Sequence, residues 1–441
     1  MDSLTEFVLI TGTLCFGLFI RLIPYIRYRF PGGYDVFYHL GRIRDPTYPQ
    51  DAETEEMKYY PSWMHDIYRK ITNNFTRISD YQLLRIHTIW DPLNGLFFWI
   101  IIRYFYDFNV AFFALILFLF APYLVKQADT LSPRPVGHFW FNFALFFSFF
   151  SIPISFLGII GIIMTVRCHR LAFQTIVVVF LVLGIFFNPI FLINLILGVL
   201  LGLLIYGNNF KMLIKSHYSL ILRFARGPHL PNKRYLTPVV VPYTLIVIPI
   251  VIEIIWINIT NGNFMKKLLN LGFELGKNSS LDIFFTFWIV GVLLLVLFYP
   301  FGESLRHIGL LVAPSSVLVS NLLIRLNLEI LIIPLFILNL LLIFILLRHS
   351  LPNEDLIKIG KYIAKSIDKA VICAPSSRRP IDYYTKTINY TFPTAKITSD
   401  ELPTIINESG TNFLVIPTKI QIPQTKEVLV LPGWKLVKFE L

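Results

Sequence analysis

The chain has 441 residues, 55% hydrophobic and only 15% charged, with a mean hydropathy of +0.64. A water-soluble globular protein carries nearer about a quarter charged residues, so that class is excluded. The formal charge of +12 is the pattern of Lys and Arg at a membrane surface; with no RNA- or DNA-binding motif present, it argues against a nucleic-acid partner.

In chain order, the first apolar run covers residues 4–25. Its start, Met-Asp-Ser-Leu-Thr-Glu, is acidic where a signal peptide is basic, and a small-residue cleavage site is missing, so it reads as a retained transmembrane helix. Further spans are predicted near 84–104, 108–125, 136–150, 152–167, 171–187, 189–206, 237–258, 283–300, 305–323 and 328–347, about eleven in all by window hydropathy. Pro153 and Asn188-Pro189 break runs too long for one helix. Short, interrupted helices suit a bundle that encloses a cavity.

Three polar regions interrupt or follow the bundle. Residues 27–83 form a long first loop, too long for a mere connection. Residues 207–235 carry Lys211, Lys215, Arg223, Arg226, Lys233 and Arg234 and no acid. The tail changes to strand-like runs at 370–374, 413–416, 428–431 and 435–439, with helical periodicity at 353–367. The expected architecture is an all-α polytopic membrane bundle over 1–348 with a small soluble α/β domain over 349–441. With an odd number of spans and a cytoplasmic N-terminus, the first loop, the basic loop and the tail lie outside the cell membrane. That placement runs against the positive-inside tendency unless the basic loop binds an anion there. Cys15, Cys168 and Cys373 have no CxxC or Cys/His spacing, which argues against a zinc site or a disulfide framework.

Four constellations carry potential chemistry. Asp35 lies at the lip of the first span. It is either an exposed aspartate salt-bridged to Arg27, Arg29 or Arg42, or a working carboxylate at the start of a helix whose face it shares with Tyr38 and His39. Asp129, in Lys126-Gln127-Ala128-Asp129-Thr130-Leu131-Ser132-Pro133-Arg134-Pro135, either caps a helix or converges with Asp35, with Arg134 adding a phosphate-binding fork. The cluster Thr165–Arg170 is either interfacial anchoring or part of a site. In 223–235, Arg223, Arg226, Lys233 and Arg234 alternate with aromatics and turn formers, which suits a lipid phosphate or simple headgroup attraction. Glu329 follows Arg325 at i,i+4 and is expected to pair with it.

Gly33-Tyr34-Asp35-Val36-Phe37-Tyr38-His39-Leu40-Gly41-Arg42 resembles the first external loop of the GT-C superfamily of integral-membrane glycosyltransferases. It is similar to the Asp-x-x-Tyr-His-Leu-Arg pattern of the oligosaccharyltransferase catalytic subunit. Ala128-Asp129-Thr130 resembles the second external-loop acid of that superfamily. Gly158 through His169 resembles the Gly-rich span of protein mannosyltransferase and aminoarabinose transferase relatives.

The resemblance implies a sugar transferred from a polyprenyl-phosphate or polyprenyl-pyrophosphate donor, with inversion. It makes Asp35 the catalytic base, with His39 orienting it and Asp129 assisting. Arg134, Arg223, Arg226, Lys233 and Arg234 are then the candidates to hold the phosphate. It admits a divalent metal, Mg or Mn, shared by Asp35 and Asp129. Two departures stand out. The Trp-Trp-Asp-x-Gly acceptor motif is absent, and the residue two after Asp129 is Leu131, not an acid. A transporter or flippase of a lipid-linked solute, and a membrane scaffold, are the competing readings. The location of the two aspartates separates them.

Overall fold

The computed structural model describes residues 3–27, 35–45, 61–74, 78–128, 130–226, 279–297, 304–348, 354–367, 371–373, 378–385, 389–391, 406–407, 409–422 and 424–440. Helix α1 (Ser3–Arg27) is about 37 Å long at 1.5 Å per residue, enough to cross a bilayer. It buries Ile10, Ile20 and Arg21 and leaves Leu4, Phe7, Val8, Phe16 and Phe19 exposed. Three short helices follow: α2 (Asp35–Arg44), α3 (Trp63–Asn74) and α4 (Asp80–His87). A capping box starts α4, Ser79 and Gln82 satisfying each other's backbone N–H.

The bundle continues with α5 (Trp90–Phe105), α6 (Phe108–Leu119), α7 (Pro122–Gln127), α8 (Arg134–Phe149), α9 (Leu157–Cys168), α10 (Arg170–Phe186), α11 (Ile190–Arg226), α12 (Ser279–Leu297), a 3-10 segment (Ser304–Leu311), α13 (Val312–Arg325) and α14 (Ile332–Arg348). Ser3–Ile26, Ile190–Tyr218, His307–Arg325 and Glu329–Leu347 are each long and apolar enough to cross a membrane, and the chain is a multi-pass membrane protein. Three of these four are only 22–33% buried over their apolar windows and so present apolar side chains to lipid, whereas His307–Arg325 is 89% buried and runs inside the bundle. The other candidate spans correspond to shorter helices, apart from 237–258, which lies outside the described residues.

The breaks fall where proline dictates. Helix α8 ends before Pro153 and α10 ends before Pro189, where the Asn188 carboxamide oxygen accepts from the Ile190 N–H at 3.0 Å. Gly158 and Gly161 let α9 lie directly against α8. A Cβ at Gly161 would fall 2.6 Å from the Ala144 backbone, and one at Gly158 would clash with Ser148 Oγ.

The basic region expected as a loop from residue 207 is helical as far as Arg226. Gly207, at φ 53°, kinks α11 in a conformation that other residues rarely adopt. Beyond the kink the Phe210 ring stacks with Tyr206 and seats over Gly202. That packing makes Lys211 and Lys215 exposed residues of a helix.

The tail holds α15 (Glu354–Ser366), β1 (Ile372–Cys373), α16 (Arg378–Thr385), β2 (Tyr390–Thr391), β3 (Phe413–Pro417), β4 (Thr425–Val430) and β5 (Trp434–Phe439). The strands form one sheet in the order β2-β1-β3-β5-β4, parallel across the first three and antiparallel across the last three. Helix α15 lays Leu356, Ile359 and Ile363 on one sheet face; Ile406 covers the other. Helix α16 and the short β2 strand were not foreseen from the pattern.

Candidate functional site

Helix α2 begins at Asp35. Val36, Phe37, Leu40 and Ile43 are fully buried in an apolar cluster with Met64, Tyr68, Leu83, Leu84, Leu131 and Val136. That pattern packs α2 against α3, α4 and the loop between α7 and α8. His39 is carried into the same interior, 4% exposed. Its Nδ1 lies 2.9 Å from Nε2 of His65 on α3, and the rings stack at 5.1 Å. His65 shares the buried face of α3 with Met64, Tyr68 and Thr72.

Burial is the main cause that holds His39 well below the ordinary imidazole range; His65, His87, Arg42 and Arg134 add to it. His65 is lowered to about 3, again first by burial and then by Arg42 and Arg69. Both imidazoles are therefore neutral at pH 7. The fixed charges that act on His39 among the described residues come from Arg42 and Arg134. Arg42 donates to Tyr38 Oη at 3.1 Å, and Arg69 pairs with Asp66 at 3.1 Å while donating to the Arg42 carbonyl.

A second polar chain lies alongside. Trp90 Nε1 donates to Tyr68 Oη at 2.8 Å, and Tyr68 Oη lies 2.8 Å from His87 Nδ1. His87 adjoins the Ser132 backbone in the α7–α8 loop. Tyr25 Oη donates to the Ala128 carbonyl at 2.9 Å, and Leu131 joins the apolar cluster of α2. The residues flanking position 129 therefore border α2.

Arg134 is the first residue of α8, a position suited to the Pro135 that follows it. Its charge reaches His39 above and His138 one turn along α8. The His138 and His169 rings meet edge-on at 6.5 Å. His169 caps α10, accepting from the Ala172 N–H at 3.2 Å. Arg170 is 6% exposed and acts on the 3%-exposed His217, which packs on the Phe173 ring at 5.0 Å. A row of guanidinium and imidazole groups thus runs from α2 along α8 into the bundle. Such donors in a low-dielectric setting suit an oxyanion.

Of the residues singled out from the sequence, His39 and Arg134 are brought within electrostatic reach of each other. The Asp35 side chain lies outside the described residues, as do the side chains of Arg223 and Arg226 on the last turns of α11. Asp129, Lys233 and Arg234 lie outside them altogether. The Thr165–Arg170 cluster is not a set of interfacial anchors: Cys168, His169 and Arg170 are buried, and the Arg167 guanidinium sits over the Tyr206 ring at 4.3 Å. Arg325 pairs with Asp282 at 2.9 Å, not with Glu329, because Asp282 is the residue the bundle brings to it. Tyr106 and Asn321 also donate to Asp282, each at 3.0 Å.

His65, His87, Tyr68 and Asp282 were missed. The available signal was scarcity: the chain has nine histidines, and those at 65 and 87 sit in helical phase with apolar neighbours.

No three His, Cys, Asp or Glu side chains converge as metal ligands among the described residues. His39 and His65 turn nitrogens toward each other, with guanidinium groups behind them. These described donors do not fit a divalent cation.

No protein-family model matches the sequence, and no curated protein matches it. Solved structures do. An oligosaccharyltransferase from Archaeoglobus fulgidus, crystallised with Zn and sulfate, aligns over 92% of this chain and 68% of its own, with a TM-score of 0.59 at 12% identity. The oligosaccharyltransferase AglB from the same organism, in complex with an inhibitory peptide and a dolichol-phosphate, aligns over 94% and 70%, with a TM-score of 0.54 at 12% identity. ArnT from Cupriavidus metallidurans, bound to undecaprenyl phosphate, aligns over 99% and 98%, with a TM-score of 0.58 at 10% identity.

The molecule is thus an integral-membrane helical bundle with the fold of the GT-C glycosyltransferases, as the motif around Asp35 implied. A likeness this distant in sequence establishes the fold and leaves the chemistry to the residues.

Proposed function

We propose that the protein is a membrane glycosyltransferase that moves a sugar from a polyprenyl-phosphate or -pyrophosphate donor to an acceptor hydroxyl on the extracytoplasmic face. The observation that carries the reading is the position of α2. Within a GT-C fold, the helix that Asp35 begins carries a buried Arg42 and the neutral His39, and these lie within reach of a half-buried Arg134 and the neutral His65. That setting supplies cations for a phosphate leaving group around a helix whose first residue is Asp35.

The chain's own residues then act as follows. Asp35 takes the proton of the acceptor hydroxyl as its oxygen attacks the anomeric carbon. The bond from that carbon to the phosphate oxygen breaks, and the electron pair leaves on the polyprenyl phosphate. Arg134, with Arg223, Arg226, Lys233 and Arg234 of the basic region, offsets the charge that develops there. Attack opposite the leaving group inverts the anomeric centre. His39, held neutral, does not compete for the proton; its role is to orient. Asp129 assists in placing the acceptor. The tail from 349 to 441 forms a separate small α/β domain on the same side as the first loop.

The test is transfer from a panel of labelled polyprenyl-phosphate sugars by the full-length protein in lipid nanodiscs. Asp35→Asn is expected to lower kcat by about 10²-fold or more, and Arg134→Gln to slow transfer more than Arg134→Lys. Full activity in a well-folded Asp35→Asn protein removes the base.

A further inference from the structure

Helix α16, in the C-terminal tail, grips both ends of α2. At the first turn, Phe37 packs against the rings of Tyr383 and Tyr384 at 5.8 and 6.3 Å, and the Arg379 guanidinium sits 5.8 Å from the centre of the Tyr38 ring. At the last turn, Arg44 Nε donates to Asp80 Oδ1 at 2.9 Å, and Tyr383 Oη donates to Asp80 Oδ2 at 2.6 Å. Asp80 therefore bridges the end of α2 to a residue 303 positions later in the chain.

Helix α16 is itself held fast. Asp382 accepts from Arg378 at 3.0 Å and from the backbone and side chain of Asn389 at 2.9 and 2.6 Å, which locks the helix to the residue before β2. Gly360 of α15 packs against Tyr384. The sheet, α15 and α16 thus present a stiff face to α2.

We propose that this face is part of the reaction site: Tyr383, acting through Asp80 and Arg44, and Arg379, acting over Tyr38, are positioning residues that set where α2 places its first turn. The inference rests on the assignment of Asp35 as base. A shift of about 1 Å in a reacting group can cost about 10²-fold in rate, and a helix of 10 residues needs an external reference to hold its place. The Asp80 carboxylate, fixed at the start of α4, and the Tyr383 phenol provide one.

The test joins kinetics with hydrogen exchange on the full-length protein. Tyr383→Phe removes the hydroxyl and keeps the ring against Phe37; Asp80→Asn removes the charge; Tyr383→Trp checks for rescue by bulk alone. Tyr383→Phe and Asp80→Asn are each expected to lower kcat by roughly 5–20-fold with KM for the donor little changed. Both should speed exchange of the α2 amides and leave those of β3 and β5 as they were.

Wild-type exchange in α2 for both variants overturns the proposal. So does faster exchange with unchanged kcat, or a lower kcat with unchanged exchange, since either separates the grip from the reaction. Should Asp35→Asn prove fully active, the base assignment falls on that result alone, while the exchange data still decide whether α16 holds α2.

Discussion

His39 Nδ1 and His65 Nε2, 26 residues apart in the chain, share one hydrogen bond of 2.9 Å between stacked rings. One ring donates and the other accepts, so the pair requires at least one neutral imidazole, and burial keeps both neutral.

An acid sensitivity follows. In the unfolded chain a histidine takes up a proton near its ordinary value of about 6.5, but folded His65 does so only at about 3. Below about pH 6.5 the unfolded state binds the extra proton, so stability is lost as pH falls through that window. At about pH 5 the loss from His65 alone is about 2 kcal/mol, and His39 adds in the same direction. Thermal unfolding of wild type and His65→Gln at pH 7 and pH 5 measures it. Gln cannot charge, so the variant should lose part of the acid-induced drop in Tm; an identical drop in both proteins contradicts the buried neutral pair.

Arg21 and Asp91 form an ion pair inside the bundle, 2.8 Å apart with side chains 0% and 6% exposed. The remaining guanidinium nitrogens of Arg21 donate to the Gly17 and Leu119 carbonyls, so one side chain ties α1 to α5 and α6. Removing one partner strands a charge in low dielectric, at a cost of about 3–5 kcal/mol. Asp91→Leu alone should therefore lower stability more than Asp91→Leu combined with Arg21→Met. Detergent-resistant thermal melts of the single and double variants compare them, and additive losses count against the pair as described.

Gly161 and Gly12 predict opposite outcomes for the same substitution. A Cβ at Gly161 meets the Ala144 backbone at 2.6 Å, whereas nothing lies within 4 Å of one at Gly12. Gly161→Ala must push α9 off α8 and should cost about 1–3 kcal/mol or more. Gly12→Ala should be neutral or stabilising by up to about 1 kcal/mol, since alanine favours helix. Equal Tm values for the two variants contradict the contact between α8 and α9.

The helices were legible in the sequence wherever lipid and proline act locally. Residues 4–25, 189–206 and 328–347 are contiguous apolar runs, and the breaks before Leu157 and Ile190 follow Pro153 and Pro189. The kink at Gly207 was not legible. The charge beyond it reads as loop, whereas the structure continues as helix past Gly207, with the Phe210 ring seated on Gly202. His39 and Arg134 were named from motif and spacing, and Arg134 acts electrostatically on His39. His65, His87 and Tyr383 were not, because nothing in an amphipathic stretch tells which distant side chain a buried histidine or phenol will meet.

The division has a physical cause. Partition into a bilayer sums over neighbouring residues, so runs of apolar side chains marked the membrane-crossing elements, and short strand-like runs between turns marked the strands of the tail. The partners of polar groups depend on which helices close on one another. Asp282 rather than Glu329 receives Arg325, across 43 residues. Tyr383 reaches Asp80 across 303. Those choices, and with them the surroundings of α2, were decided only by the tertiary packing, since a buried polar group must find whatever partner the folded bundle brings within hydrogen-bond distance.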